Sequence, residues 1–166
     1  MTTNKIIPAD ILLHHEVSQF IFHEAKLQDE HEYDAWEALW ADDGVYWIPA
    51  NGTDIDPEKE MSIIYDNRSR IALRIRQFHT GKRYAQEPKS GVRRVTSNIE
   101  VTTLENGEIE ARANSIIFEA NLRGEFTWAC RYIYNLRRKG DGFEMKKKTV
   151  LLANNDKALY TLAFLV

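Results

Sequence analysis

Trp128-Ala129-Cys130-Arg131-Tyr132-Ile133-Tyr134-Asn135-Leu136-Arg137 is the stretch whose reading decides the fold. Trp128, Cys130, Tyr132, Tyr134 and Leu136 fall on one side of an extended chain, and Arg131, Asn135 and Arg137 on the other. A period of two with one apolar side predicts a long strand whose inner face is covered by other elements. The same period extends outward in both directions. Val95, Ile99 and Val101 alternate with Arg94, Asn98, Glu100 and Thr102, and Glu105-Asn106-Gly107 supplies a turn. Ile109, Ala111, Ala113, Ser115 and Ile117 then mark a second strand. Beyond the turn at Gly140-Asp141-Gly142, Phe143, Met145 and the run Val150-Leu151-Leu152 mark a fourth.

The N-terminal half has another period. Asp10 can cap a helix in which Leu13, Val17, Phe20, Ile21 and Leu27 form a stripe, with His14, Glu16, Glu24, Lys26 and Gln28 on the wet side. Tyr33, Trp36 and Trp40 predict one face of a second short helix, stopped by a turn at Asp42-Asp43-Gly44. The aromatic run Val45-Tyr46-Trp47-Ile48 follows, and Ala50 to Glu60 reads as a loop. Met61 to Tyr65 reads as a strand, and Asp66 as the cap of a third helix with Ile71, Ile75 and Phe78 inside and Thr80-Gly81 at its end. Lys82 to Gly91 is a polar surface connection. Helices first and meandering strands afterwards predict an α+β fold, N-terminal helices packed against a curved, mainly antiparallel sheet, as one domain over residues 1–166.

Composition bounds the function. With 22 basic and 25 acidic side chains the net charge is -3, which gives no field for nucleic acid. Cys130 is the only cysteine, so no internal disulfide, cysteine-rich zinc site or iron–sulfur site can form within the chain. Met1 to Pro8 lacks the apolar core of a signal peptide, and no stretch approaches the roughly 20 apolar residues of a membrane span. A cytoplasmic protein is expected, with no nucleic-acid and no membrane partner. The closing segment Leu159 to Val166 is almost wholly apolar, which predicts an edge strand within the chain or burial in a subunit contact.

His14, His15, His23 and His31 lack the one-turn spacing of paired metal ligands and read as structural or surface residues. Asp42, Asp43, Tyr46 and His79 are the candidate catalytic set: a carboxylate could orient His79 for proton exchange, and Tyr46 could bind a small ligand. Arginines gather at Arg68, Arg70, Arg74 and Arg76 and at Arg93 and Arg94, suited to bidentate carboxylate pairing at an interface. Arg137, Arg138, Lys139, Lys146, Lys147 and Lys148 cluster near a hairpin, and each of these basic groups reads either as interface cations or as an ordinary solvated face.

The ordered motifs carry more than any single residue. Glu24-Ala25-Lys26-Leu27-Gln28-Asp29, Tyr33-x-x-Trp36 and Asp42-Asp43-Gly44-Val45-Tyr46-Trp47-Ile48-Pro49 are followed by Tyr65-Asp66-Asn67-Arg68, Arg74, Thr80-Gly81, Pro88-x-Ser90-x-x-Arg93-Arg94 and Ser97-Asn98-Ile99. Arg131, Tyr132, Leu136-Arg137-Arg138 and Lys148-x-Val150-Leu151-Leu152 complete the order. In this the chain resembles the small, or beta, subunit of aromatic-ring-hydroxylating dioxygenases over nearly its whole length. The resemblance implies the cone-like fold of nuclear-transport-factor-2-like proteins and a non-catalytic role in an oxidoreductase. It implies that no cofactor is held here and that a large (alpha) subunit carries a Rieske 2Fe-2S centre and a mononuclear non-haem iron. A reductase using NAD(P)H, with a ferredoxin in some systems, would supply electrons, and a trimer of beta subunits would sit within an alpha3beta3 assembly. Arg68, Arg74, Arg93, Arg94 and Arg131 become scaffold or subunit-contact residues, with Asp42, Asp43 and Asp66 as polar partners. Trp36, Tyr46 and Trp47 become packing residues, and Asn98 a tie between loop and strand. Gly91 departs from the pattern, since relatives often place an arginine directly after the serine. The alternative is an independent dehydratase or isomerase on the same fold, using the His79 set.

Overall fold

The alternation over 128–136 is realised in a sixteen-residue strand whose five apolar positions are all buried. The computed structural model describes residues 10–52, 54–82, 86–159 and 161–166. Met1 to Pro8, residues 83–85 of the surface connection and Tyr160 lie outside them. The elements are α1 (Ile11–Asp29), α2 (Tyr33–Glu37), β1 (Trp40–Pro49), β2 (Ser62–Asn67), α3 (Arg68–His79), β3 (Gly91–Thr103), β4 (Ile109–Asn121), β5 (Gly124–Lys139) and β6 (Gly142–Leu152). They build one six-stranded sheet in the order β2-β1-β6-β5-β4-β3, antiparallel except where β1 runs parallel to β6. The helices cover the inner face, where Ile21, Trp36, Tyr46, Ile71, Tyr134 and Met145 form the centre of the core. The α+β class and the order of elements are as the sequence predicts.

Several local readings are corrected by the structure. Trp40 does not continue α2; the helix stops at Glu37, and the Met145 amide donates to the Leu39 carbonyl at 2.8 Å, which starts the sheet there. Trp40 still packs edge-on against Trp36, ring centres 5.4 Å apart, so the aromatic face survives the change of backbone. Asp42-Asp43-Gly44 is a bulge inside β1 and no turn: the pairing to β6 jumps from Trp40 opposite Met145 to Val45 opposite Lys147. A Cβ on Gly44 would lie 2.9 Å from both the Ala41 carbonyl oxygen and the Trp40 ring. Gly44→Ala is therefore expected to cost about 1–3 kcal/mol, read from the urea midpoint.

Asn67, and not Asp66, caps α3, accepting from the Arg70 amide at 3.1 Å. Asp66 is buried and pairs with Arg74 at 2.7 Å. In β3, the alternation assigned to Val95 and Arg94 is inverted. A bulge between Ser97 and Glu100, with Asn98 at φ 55°, adds one residue and flips the strand's phase, so Val92 and Arg94 point inward while Val95 is 71% exposed. Among its described residues the closing segment forms no strand, yet Ala163, Phe164, Leu165 and Val166 are all buried within the chain.

Candidate functional site

α1 sets the floor of the cone. Its buried stripe runs Val17, Ile21, Glu24, Gln28, so two residues expected on the wet side stand at core positions. Glu24 is 1% exposed and accepts three donors: Trp36 Nε1 at 2.9 Å, the Tyr134 hydroxyl at 2.9 Å and Lys148 Nζ at 2.7 Å. Lys148, read from sequence as an interface cation or part of a solvated face, is wholly buried on β6. Its ammonium lies 4.3 Å from the Tyr132 ring centre and donates to the Val166 carbonyl oxygen at 3.2 Å. Burial pushes this ammonium below the ordinary lysine value, and the Glu24 carboxylate pulls in the opposite direction.

Arg94 closes the cluster from β3. Its side chain is 1% exposed; Nε donates to Asp29 Oδ1 at 2.7 Å, Nη1 to Gln28 Oε1 at 2.7 Å and Nη2 to the Leu165 carbonyl at 2.9 Å. One guanidinium thus joins the end of α1, the sheet edge and the closing segment, using its planar fork of donors. The Tyr46 hydroxyl completes the seal by donating to the Val166 carbonyl at 2.7 Å. A second buried carboxylate, Glu119, accepts from Ser90 Oγ at 2.7 Å, Asn121 Nδ2 at 2.8 Å and Trp128 Nε1 at 3.0 Å.

The candidate catalytic set does not converge. Tyr46 is buried against the closing segment, whereas Asp42 and Asp43 are exposed on β1. Asp43 pairs with Arg137. His79 pairs with Asp34 at 2.8 Å on the surface, where both side chains are more than half exposed, so the pair stands in water and not in a cavity. The predicted arginines are placed differently from one another. Arg68 pairs with Glu37 and Arg74 with Asp66, both at 2.7 Å. Arg93 stays exposed beside Glu30 at 3.7 Å, and Arg131 is exposed with Nε 3.4 Å from Asn114 Oδ1. Arg94 alone of the five is enclosed by the chain's own groups to this degree. Trp36, Tyr46 and Trp47 do pack as expected. The signal for the missed residues lay in spacing: position 24 follows Ile21 by three and precedes Leu27 by three, so a stripe through both must contain it.

Among the described residues no group of three or more His, Cys, Asp or Glu side chains could hold a metal ion. A Rieske centre does not fit the donor set, since it needs two thiolates and two imidazoles and the chain has one cysteine. His14 and His31 have ring nitrogens engaged, at 2.9 Å from the Ile99 carbonyl and 2.8 Å from the Ser90 carbonyl.

Burial also raises Tyr46, Tyr132 and Tyr134 well above the ordinary tyrosine value of 10.0. In the unfolded chain these hydroxyls ionise near pH 10, while in the fold they keep their protons to higher pH. The unfolded state then binds fewer protons, and stability falls with rising pH by about 1.4 kcal/mol per tyrosine per unit. Lys148 acts with the opposite sign between its lowered value and 10.5, one group against three. Stability is expected to be held below pH 10 and lost above it, with tyrosinate absorbance from these three appearing in step with the loss of circular dichroism.

Comparison with known proteins agrees with this architecture. Residues 23–156 match the family model described as the ring hydroxylating beta subunit. The chain is 31% identical over 150 residues to the anthranilate 1,2-dioxygenase small subunit of Acinetobacter baylyi, covering 86% of this chain and 91% of that one. It is 30% identical over 160 residues to the biphenyl 2,3-dioxygenase subunit beta of Rhodococcus jostii, covering 89% and 86%. The crystal structure of the beta subunit of benzoate 1,2-dioxygenase from Burkholderia mallei superimposes with a TM-score of 0.75 over 99% of this chain and 100% of that one, at 21% identity, and so shares the fold. With its helices on a curved sheet and its polar groups spent inside the cone, the chain belongs to the beta subunits of ring-hydroxylating dioxygenases, within the nuclear-transport-factor-2-like fold group.

Proposed function

We propose that this chain is the structural partner of a catalytic large subunit carrying a Rieske 2Fe-2S centre and a mononuclear non-haem iron, and that three copies form a ring within an alpha3beta3 oxygenase. Electrons would reach the large subunit from NAD(P)H through a reductase. The observation that carries this reading is the outer face of β3, β4 and β5. There Val95, Ile116 and Phe118 are 71%, 58% and 45% exposed, with Val95 opposite Ile116 and Phe118 opposite Arg93 across the β3–β4 pair. Arg93 and Arg131 are exposed on the same strands. A ring needs two different patches that meet head to tail. The groove between β1 and α3 lined by Glu37, Asp42, Asp43 and Arg68 is the other patch; Glu37 is paired with Arg68 and Asp43 with Arg137, which leaves Asp42 as its carboxylate for an incoming cation. Arg93 and Arg131 are accordingly the contact residues, while Arg68, Arg74 and Arg94 act as scaffold.

Ile116→Glu is expected to break the ring without unfolding the chain, since its side chain faces solvent in the free subunit. Native mass spectrometry of the chain co-expressed with its large oxygenase partner should show an assembly with three copies of each. The variant should release single chains, with stability within about 0.5 kcal/mol of the parent. A parent chain that stays monomeric and binds no large subunit at any concentration would sink the proposal.

A further inference from the structure

The sequence contains two Asn-Gly pairs, Asn51-Gly52 and Asn106-Gly107. An asparagine before glycine is chemically labile, because the glycine has no Cβ to shield the nitrogen that can attack the side-chain amide. The fold treats the two pairs differently. In the turn between β3 and β4, the Gly107 amide donates to the Leu104 carbonyl at 2.9 Å, and Asn106 Oδ1 accepts from the Glu108 amide at 3.0 Å. Nucleophile and electrophile are both pinned there. In the loop between β1 and β2, Asn51 is exposed, and among the described residues neither its side chain nor the Gly52 amide has a hydrogen-bond partner.

The backbone on either side of that reactive pair is clamped to one residue. The Asn51 amide donates to the Asn155 carbonyl at 2.9 Å, and Asn155 Nδ2 donates to the Gly52 carbonyl at 2.8 Å. Asn155 gives its own amide to the Leu152 carbonyl at the end of β6, so the clamp ties the β1–β2 loop to the turn that precedes the closing segment. Attack begins when hydroxide takes the proton of the Gly52 nitrogen, which then bonds to Asn51 Cγ. The Cγ–Nδ2 bond breaks, ammonia leaves with a proton from water, and a cyclic imide remains. Water adds to either imide carbonyl. Opening on one side restores the ordinary backbone with an aspartyl side chain. Opening on the other gives an isoaspartyl link, in which the main chain runs through Cβ and Cγ and is one atom longer. That atom falls between the two bonds to Asn155, so both cannot keep their length and direction.

We propose that Asn51 is a site of spontaneous deamidation and that its isoaspartyl product releases the Asn155 clamp, loosening the turn from which the closing segment starts. The site shares no residue with the proposed ring contact, so the free chain tests it. The purified full chain is held in neutral phosphate buffer, folded or in urea, and aspartyl and isoaspartyl peptides are followed by mass spectrometry. In the folded chain Asn51 should convert at least fivefold faster than Asn106, and in urea the two rates should draw together. A folded-chain ratio no larger than the ratio in urea overturns the proposal. Hydrogen exchange then reads the clamp. In the isoaspartyl fraction residues 153–157 should exchange at least threefold faster than in the parent. Asn51→Asp brings the same charge with the ordinary backbone, and its exchange should match the parent. Unchanged exchange in the isoaspartyl fraction, or equal acceleration in Asn51→Asp, overturns the proposal.

Discussion

Lys148→Ala should lower the free energy of unfolding by about 3–5 kcal/mol, because it leaves a buried carboxylate without its cation. The size follows from where the charge sits. Glu24 is 1% exposed and would keep only Trp36 and Tyr134 as donors, both neutral. Removing the partner forces Glu24 to take up a proton or to admit water, and both undo packing around Trp36. Glu24→Gln should cost comparably, since the Lys148 ammonium would then lie buried beside a neutral amide and the Val166 carbonyl. The double variant Glu24→Gln with Lys148→Met should cost clearly less than the sum of the singles, because no unpaired charge remains. A coupling of about 1–3 kcal/mol in the double-mutant cycle is expected from urea denaturation. Strict additivity would mean that the two groups do not act as a buried pair.

Arg94→Ala should be nearly as severe, at about 3–5 kcal/mol, and its effect should be felt far from position 94. The guanidinium binds Asp29 at the end of α1, Gln28 one residue earlier and the Leu165 carbonyl in the closing segment. Removing it leaves the Asp29 carboxylate with only the backbone amide of position 94 as donor, and the Gln28 and Leu165 oxygens to find others in a place that water scarcely reaches. Arg94→Lys separates charge from geometry. An ammonium supplies the charge but cannot span three separate acceptors as a planar fork does, so a loss of about 2 kcal/mol is expected. In both variants residues 163–166 should exchange their amide hydrogens faster than in the parent. An Arg94→Lys chain as stable as the parent, with the segment equally protected, would show that charge alone suffices.

These two residues also show where reading the sequence stops. Trp128 to Arg137 could be placed correctly because its pattern is local: period two is a property of an extended chain, whatever it packs against. The same local logic places the α1 stripe and the strands β4 to β6. It fails at β3, where a single extra residue between Ser97 and Glu100 reverses the phase of everything before it. Arg94, which local logic put outside, became the most enclosed of the predicted arginines for that reason. It fails likewise at Asp42-Asp43-Gly44, where turn-forming residues sit in a bulge because β6 supplies pairing partners on both sides.

Long-range polar pairing is the other limit. Glu24 and Lys148 are 124 residues apart, and each alone reads as a solvated charge; only their meeting, with Tyr134 and Trp36, makes burial tolerable. Trp128 to Leu136, the helical stripes and the ordered motifs determined by themselves that this chain is an α+β beta subunit, since periodicity and motif order are written along the chain. Which charges are buried, which arginines remain at the surface and what fills the cone were decided only by the tertiary structure. Those properties depend on groups brought together from α1, β1, β3, β6 and the closing segment, and no local stretch contains that information.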